Sequence, residues 1–197
     1  MKTTGCNTTR QRILDSALTI VGHKGFSAVG LNEVLNAAHV PKGSFYHYFD
    51  SKDVFGKALL ERYFELYHSD MDAIFRDPGL SGRERLLRYW EYWAANQTGT
   101  TDCRKCLAVK LGAEVADLSE LMRLELERGT SVTIARLTLA IEEAVEDRSV
   151  SIREPAASVA YRLYELWLGA SVMVKITRTA MPFDQAMLET RRVFAEG

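Results

Sequence analysis

Residues 27–55, SAVGLNEVLNAAHVPKGSFYHYFDSKDVF, decide how the rest of the chain is read. Leu31, Val34, Leu35 and Ala38 recur at helical spacing and mark a short helix with one apolar face. Pro41 has a fixed φ and no backbone donor, so it suits the start of a new helix rather than the middle of one. The next helix, Lys42 to about Tyr48, is too short to stand alone and must be held by its neighbours. Gly43 lets a backbone come close, while Lys42, Ser44, Tyr46, His47 and Tyr48 offer charge, hydroxyls and rings. Phe45 and Phe49 form an i,i+4 apolar pair of the kind that faces inward. Asp50 or Ser51 then caps a further helix whose first turn carries Lys52. Two short helices joined by a turn, the second opening on small and basic residues, form the helix-turn-helix geometry that enters a DNA major groove.

Outward from that segment the chain reads as helical throughout. Thr8-x-x-Gln11 has the form of a capping box, followed by Ile13, Leu14, Ala17, Leu18 and Val21 at helical spacing and Gly25 as a stop. A long helix from Ser51 to about Phe75 carries Phe55, Leu59, Tyr63 and Leu66 along one side. Asp77 to Gly82 is a turn cluster, Arg83 to about Ala95 a helix with Tyr89, Trp90 and Trp93, and Gln97 to Asp102 a loop. Helices are expected at 103–115, 119–146, 155–179 and 182–194. The four prolines, Pro41, Pro78, Pro155 and Pro182, fall where the periodicity breaks. Sustained period-2 alternation is missing, so the expectation is an all-α chain of about nine helices.

The segment VPKGSFYHYFDSKDVF resembles the recognition region of the TetR family of transcriptional regulators, and the helix pattern is similar to that family along essentially the whole chain. The resemblance implies a three-helix DNA-binding head at 1–52 and a helical regulatory and dimerisation bundle at 53–197. It places DNA contacts on Ser27, Lys42, Gly43, Ser44, Tyr46, His47, Tyr48 and Lys52. Read without it, Phe45, Tyr48 and Phe49 are core residues and His47 a solvated one.

Composition fits such a protein. Of 197 residues, 47% are hydrophobic and 26% charged, the balance of a soluble globular chain. No apolar run approaches the roughly 20 residues of a membrane span and no signal peptide opens the chain, so a cytoplasmic address without membrane contact is expected. The net charge of −1 is unevenly spread. Residues 1–52 hold Lys2, Arg10, Arg12, Lys24, Lys42 and Lys52 against Asp15, Glu33 and Asp50, leaving the remainder acidic. A mildly basic head on an acidic body suits docking of one end onto phosphates.

The stretch 155–179 is apolar on more than one side. Val159, Leu163, Leu166, Ala170, Met173 and Val174 make one stripe, with Tyr164, Trp167, Leu168 and Val172 beside it. A helix greasy on two faces needs two things to bury against, and small Gly169, Ala170 and Ser171 permit close approach. The resemblance implies that the last two long helices pair with their copies as a homodimer. A two-fold dimer sets its recognition helices about 34–36 Å apart, one turn of DNA, so the expected partner is an inverted-repeat duplex operator.

The regulatory half becomes individual at Cys103-Arg104-Lys105-Cys106. With three cysteines, the chain is a poor candidate for a disulfide framework. A thiol near a helix start, beside Arg104 and Lys105, ionises more readily, and the thiolate is the form that attacks electrophiles and oxidants. KCLAVKLGAEVADLSE and LYELWLGASVMVKITR resemble an electrophile- and oxidant-sensing branch of the family. That resemblance places Cys106 on the sensor position and Lys175 on a lysine of the late helix able to lie near it, with Cys103 as a conceivable resolving thiol. The inducer would be a small reactive electrophile or another small molecule. Alternatively Cys106 is an inert buried hydrophobe and Lys175 a snorkelling surface lysine.

Three other chemistries compete. A reversible apolar inducer could sit among Tyr89, Trp90, Trp93 and Met122, although such aromatics at helical spacing also build cores. A dithiol oxidoreductase using Cys103 and Cys106 lacks the βαβ setting of such sites. A zinc site lacks its remaining ligands, because His23, His39, His47 and His68 fall in the head and the linking helix. Neither metal nor cofactor is expected.

Overall fold

The computed structural model describes residues 3–98 and 107–195, which hold nine α-helices and no strand. In chain order these are α1 (Thr3–Lys24), α2 (Leu31–Ala37), α3 (Phe45–Tyr48), α4 (Lys52–Phe75), α5 (Gly82–Thr98), α6 (Leu107–Val115), α7 (Glu120–Glu146), α8 (Ala156–Thr177) and α9 (Met181–Val193). The backbone gathers into two compact units, Met1–Leu66 with Thr100–Gly129 and Tyr67–Gly99 with Thr130–Gly197. Helices α4 and α7 each contribute residues to both.

In the first unit, α1 buries Ile13, Leu14, Ala17 and Val21, the stripe read from the sequence. Its start differs from expectation. The helix begins at Thr3, so Thr8 lies inside it, and the Gln11 amide reaches forward to the Asp15 carboxylate at 3.2 Å instead of folding back as a capping box would. Gly25 ends the helix at φ +89° and donates its N–H to the Val21 carbonyl. Helix α2 ends at Ala37, and beyond its cap His39, with a φ of 53°, turns the chain so that Val40 N–H reaches the Leu35 carbonyl. Pro41 then precedes a single 3₁₀ turn, Lys42–Ser44, which runs into α3.

Four residues cannot hold a helix unaided. Helix α3 is held by Phe45 and Phe49, each 1% exposed, whose rings meet Phe55 of α4 at 5.4 and 5.1 Å, with Phe26 beside Phe55 at 6.3 Å. Burying each such ring contributes about 1.5–3 kcal/mol, and the edge-to-face pairs add to that. Ser51 settles which residue caps α4: its hydroxyl accepts from the Val54 N–H. At Gly129 of α7 a Cβ would collide with the Phe64 ring, so α4 and α7 approach closely there only because this residue is glycine.

The second unit is built on a ring stack. Trp90 of α5 lies on Trp167 of α8 at 4.9 Å and 15°, and Trp167 on Phe183 of α9 at 5.7 Å and 22°. The indole N–H groups of Trp93 and Trp167 donate to the hydroxyls of Ser171 and Thr190. Ser81 and Glu84 form a true capping box at the start of α5, and the Asp147 carboxylate takes the Gly82 N–H at 2.7 Å. Helix α5 continues to Thr98, past the expected end near Ala95, because no breaker precedes Gly99 and Gln97 is partly buried.

Helix α8 shows that the sequence stripe mixed two faces. Its inner side is Val159, Ala160, Leu163, Tyr164, Trp167, Ala170 and Ser171. Leu166 and Met173 lie outside with Tyr161, Val172 and Ile176, and Met181 and Leu188 of α9 are likewise exposed. An apolar helix repeats on every side, so its period alone does not say which side is inside.

Candidate nucleic-acid interface

The aromatic cluster beneath α3 fixes which of its neighbours point outward. With Phe45 and Phe49 turned in, Tyr46 is 69% exposed and His47 is exposed, while Tyr48 and Ser44 are half-buried. Lys42, Gly43, Ser27 and Lys52 are exposed as well. A Cβ added at Gly43 meets nothing within 4 Å, so no internal packing requires glycine there. The Lys52 ammonium lies 5.1 Å from the Phe26 ring centroid and the Arg10 guanidinium 5.3 Å from that of Phe49. Two cations are thereby seated on the rim of the same cluster. Arg10 carried no signal in the sequence beyond its charge, since the ring it covers is 39 residues away. Lys24, by contrast, is tied to Glu33 at 2.6 Å.

Ser27 is positioned by α6. The Glu114 carboxylate accepts the N–H groups of Phe26 at 3.2 Å and Ser27 at 2.6 Å, and Lys110 Nζ donates to the His23 carbonyl at 3.2 Å. Partial burial alone raises the Glu114 pKa. Donation from the Ser27 N–H and hydroxyl and the Phe26 N–H, with the Lys110 charge, outweighs it and holds the carboxyl below its ordinary value.

The residues expected to sense behave differently. Cys103 and Cys106 lie outside the described residues. Lys175 projects from α8 with an exposed side chain, next to exposed Ile176. Of the residues read as lining for a reversible inducer, Tyr89, Trp90 and Trp93 are buried against one another in the second unit, and Met122 is buried in the first, where its thioether abuts Gly56. A small cleft of about 140 Å³ between α4 and α7 is lined by Asp72, Phe75, Arg76, Arg136, Leu139, Ala140 and Glu143, a mixed charged and apolar set in which Arg136 pairs with Asp72. Among the described residues no cluster of His, Cys, Asp and Glu could hold a metal ion, and no helix is long and apolar enough to cross a membrane.

A short outward-facing helix on a rigid aromatic base, preceded by a second helix across a tight turn, defines a helix-turn-helix regulator of transcription. Comparison with known proteins agrees. Residues 13–61 match the model for bacterial regulatory proteins of the tetR family, and residues 82–189 match the tetracyclin repressor-like C-terminal domain. The chain is 38% identical to the HTH-type transcriptional repressor NemR of Escherichia coli (strain K12) over 192 residues, covering 95% of this chain and 94% of that protein. It is 31% identical to the transcriptional regulator AcuR of Cereibacter sphaeroides, covering 84% of this chain and 76% of AcuR. The crystal structure of E. coli NemR in its reduced form superposes with a TM-score of 0.90 at 37% identity, covering 96% of this chain and 98% of that one. The chain belongs to the TetR family of DNA-binding transcriptional regulators; it is a regulator and not an enzyme.

Proposed function

We propose that this protein is a homodimeric repressor that holds an inverted-repeat operator and lets go when Cys106 is modified by a reactive electrophile or oxidant. The observation that carries the DNA half of this reading is the division of residues 42–49 into a buried aromatic face and an exposed polar one. Lys42, Ser44, Tyr46, His47 and Tyr48 are offered to base edges and phosphates, Gly43 permits close approach of a backbone, and Ser27 and Lys52 flank them. The homodimer is supported by the exposed apolar side chains of α8 and α9, which have no reason to face water in a lone chain.

The sensing half rests on likeness to NemR and on the chemistry of Cys106. In the sequence Cys106 follows Lys105 and immediately precedes Leu107, where α6 begins, an order of residues that favours the thiolate. Adding polar or bulky chemistry to it shifts the packing of the regulatory helices, and α4, which continues directly from the head, passes the change on. The switch needs only two packings whose affinities for DNA differ by a few kcal/mol. Where the modification is oxidation of Cys106 to a sulfenic acid, Cys103 serves as the resolving thiol, closing a disulfide with loss of water, and Lys175 is the further sensing residue that the likeness suggests. The boundary between the two functions falls near residue 52, where α4 begins.

The test is binding to a labelled duplex selected by the protein from a random library, before and after a thiol-reactive aldehyde or hypochlorite. The wild type is expected to release, with a mass increase on the chain, and Cys106→Ser to stay bound. Equal release by the serine variant excludes covalent sensing at this residue.

A further inference from the structure

The helix that begins one residue after Cys106 also holds the turn that leads into the helix-turn-helix. Lys110 and Glu114 lie one turn apart on α6 and therefore share a face. That face grips three backbone groups of the head, on His23, Phe26 and Ser27, 87 or 88 residues earlier in sequence. Lys110 takes the His23 carbonyl, one of those a helix end leaves without an internal partner. Glu114 takes the N–H groups of Phe26 and Ser27. Gly25 makes the grip possible: its left-handed backbone turns the chain so that two successive N–H groups point at one carboxylate. A Cβ at residue 25 would sit 2.9 Å from Glu114 Oε2, so the carboxylate would have to shift to admit one.

From this geometry we infer that Glu114 and Lys110 are positioning residues for DNA recognition, fixing the α1–α2 turn and with it the placement of Ser27 and α2 beneath the recognition helix. The inference deepens the repressor reading and rests on it. Counted along the sequence, Cys106 precedes Lys110 by four residues, as Lys110 precedes Glu114. A change in how α6 starts therefore reaches the head within two helical turns, without passing through the aromatic core of the other unit. The carboxylate is held ionised, which keeps both N–H bonds charge-assisted.

The test uses the full chain as wild type, Glu114→Ala, Glu114→Gln and Lys110→Met. Each is measured for affinity to the selected duplex, affinity to a random-sequence duplex, and amide hydrogen exchange of the peptide spanning residues 24–30. Glu114→Ala is expected to weaken binding to the selected duplex by about tenfold, leave the random duplex within about twofold, and speed exchange in that peptide. Glu114→Gln, which is isosteric and keeps one acceptor, is expected to fall between, and it carries the test if the alanine variant does not fold. A merely structural role would weaken both duplexes alike. If the glutamine variant and Lys110→Met match the wild type in selected-duplex affinity and in exchange, the inference is overturned. If the wild type itself prefers no duplex, the DNA reading fails first and this one with it.

Discussion

Two exposed faces of this molecule, that of the α3 segment and that of α8, differ in chemistry and so in what they ask for. The first presents Lys42, Tyr46, His47 and their neighbours on a base of buried phenylalanines. The second presents Leu166, Val172, Met173 and Ile176 outside a core of tryptophans. Both are faces that folding leaves uncovered. A polar, cationic face recovers its desolvation cost only against an anionic, hydrogen-bonding partner, whereas an apolar face gains most from another apolar face. One short helix is therefore read as meeting DNA and one long helix as meeting its own copy.

The comparison breaks most visibly at Ile176, 69% exposed. Ile176→Glu places a charge in the expected dimer seam, and sedimentation at about 10 μM should show a monomer, with duplex affinity down by about a hundredfold or more. A variant that stays dimeric moves the interface elsewhere. Next comes the base under α3: Phe49→Ala should cost about 3–5 kcal/mol of stability by denaturant titration. It should abolish DNA binding only as a consequence of unfolding. Tyr46→Ala separates function from fold on the same short helix. Stability should stay within about 0.5 kcal/mol while duplex affinity drops by about tenfold. The smallest effect is at Lys42, where alanine should lower the slope of log affinity against log salt by about one and leave sequence preference intact.

How far the sequence revealed all this depended on the range of each signal. The i,i+4 pair Phe45 and Phe49 was legible because the two rings, at the first residue and the C-cap of one short helix, fall on the same side of it. Short signals misled where another local partner or a second apolar face competed. Thr8 and Gln11 have the letters of a capping box, yet Gln11 binds Asp15 and the helix starts at Thr3. In α8 the stripe of Leu163, Leu166 and Met173 was assigned to one side, and the structure splits it, since both sides are apolar. Glu114 was invisible: its partners are backbone N–H groups 87 and 88 residues away, which leave no trace in side-chain patterns.

The claim that joins both faces is that two copies, paired through α8 and α9, present two α3 segments to one palindrome. Native mass or sedimentation analysis of the protein on the selected duplex, repeated between about 50 and 200 mM salt, tests it most directly. Two protomers per duplex, with affinity falling steeply as salt rises, is the predicted result. A single protomer on the duplex, or binding without preference for the palindrome, would contradict it.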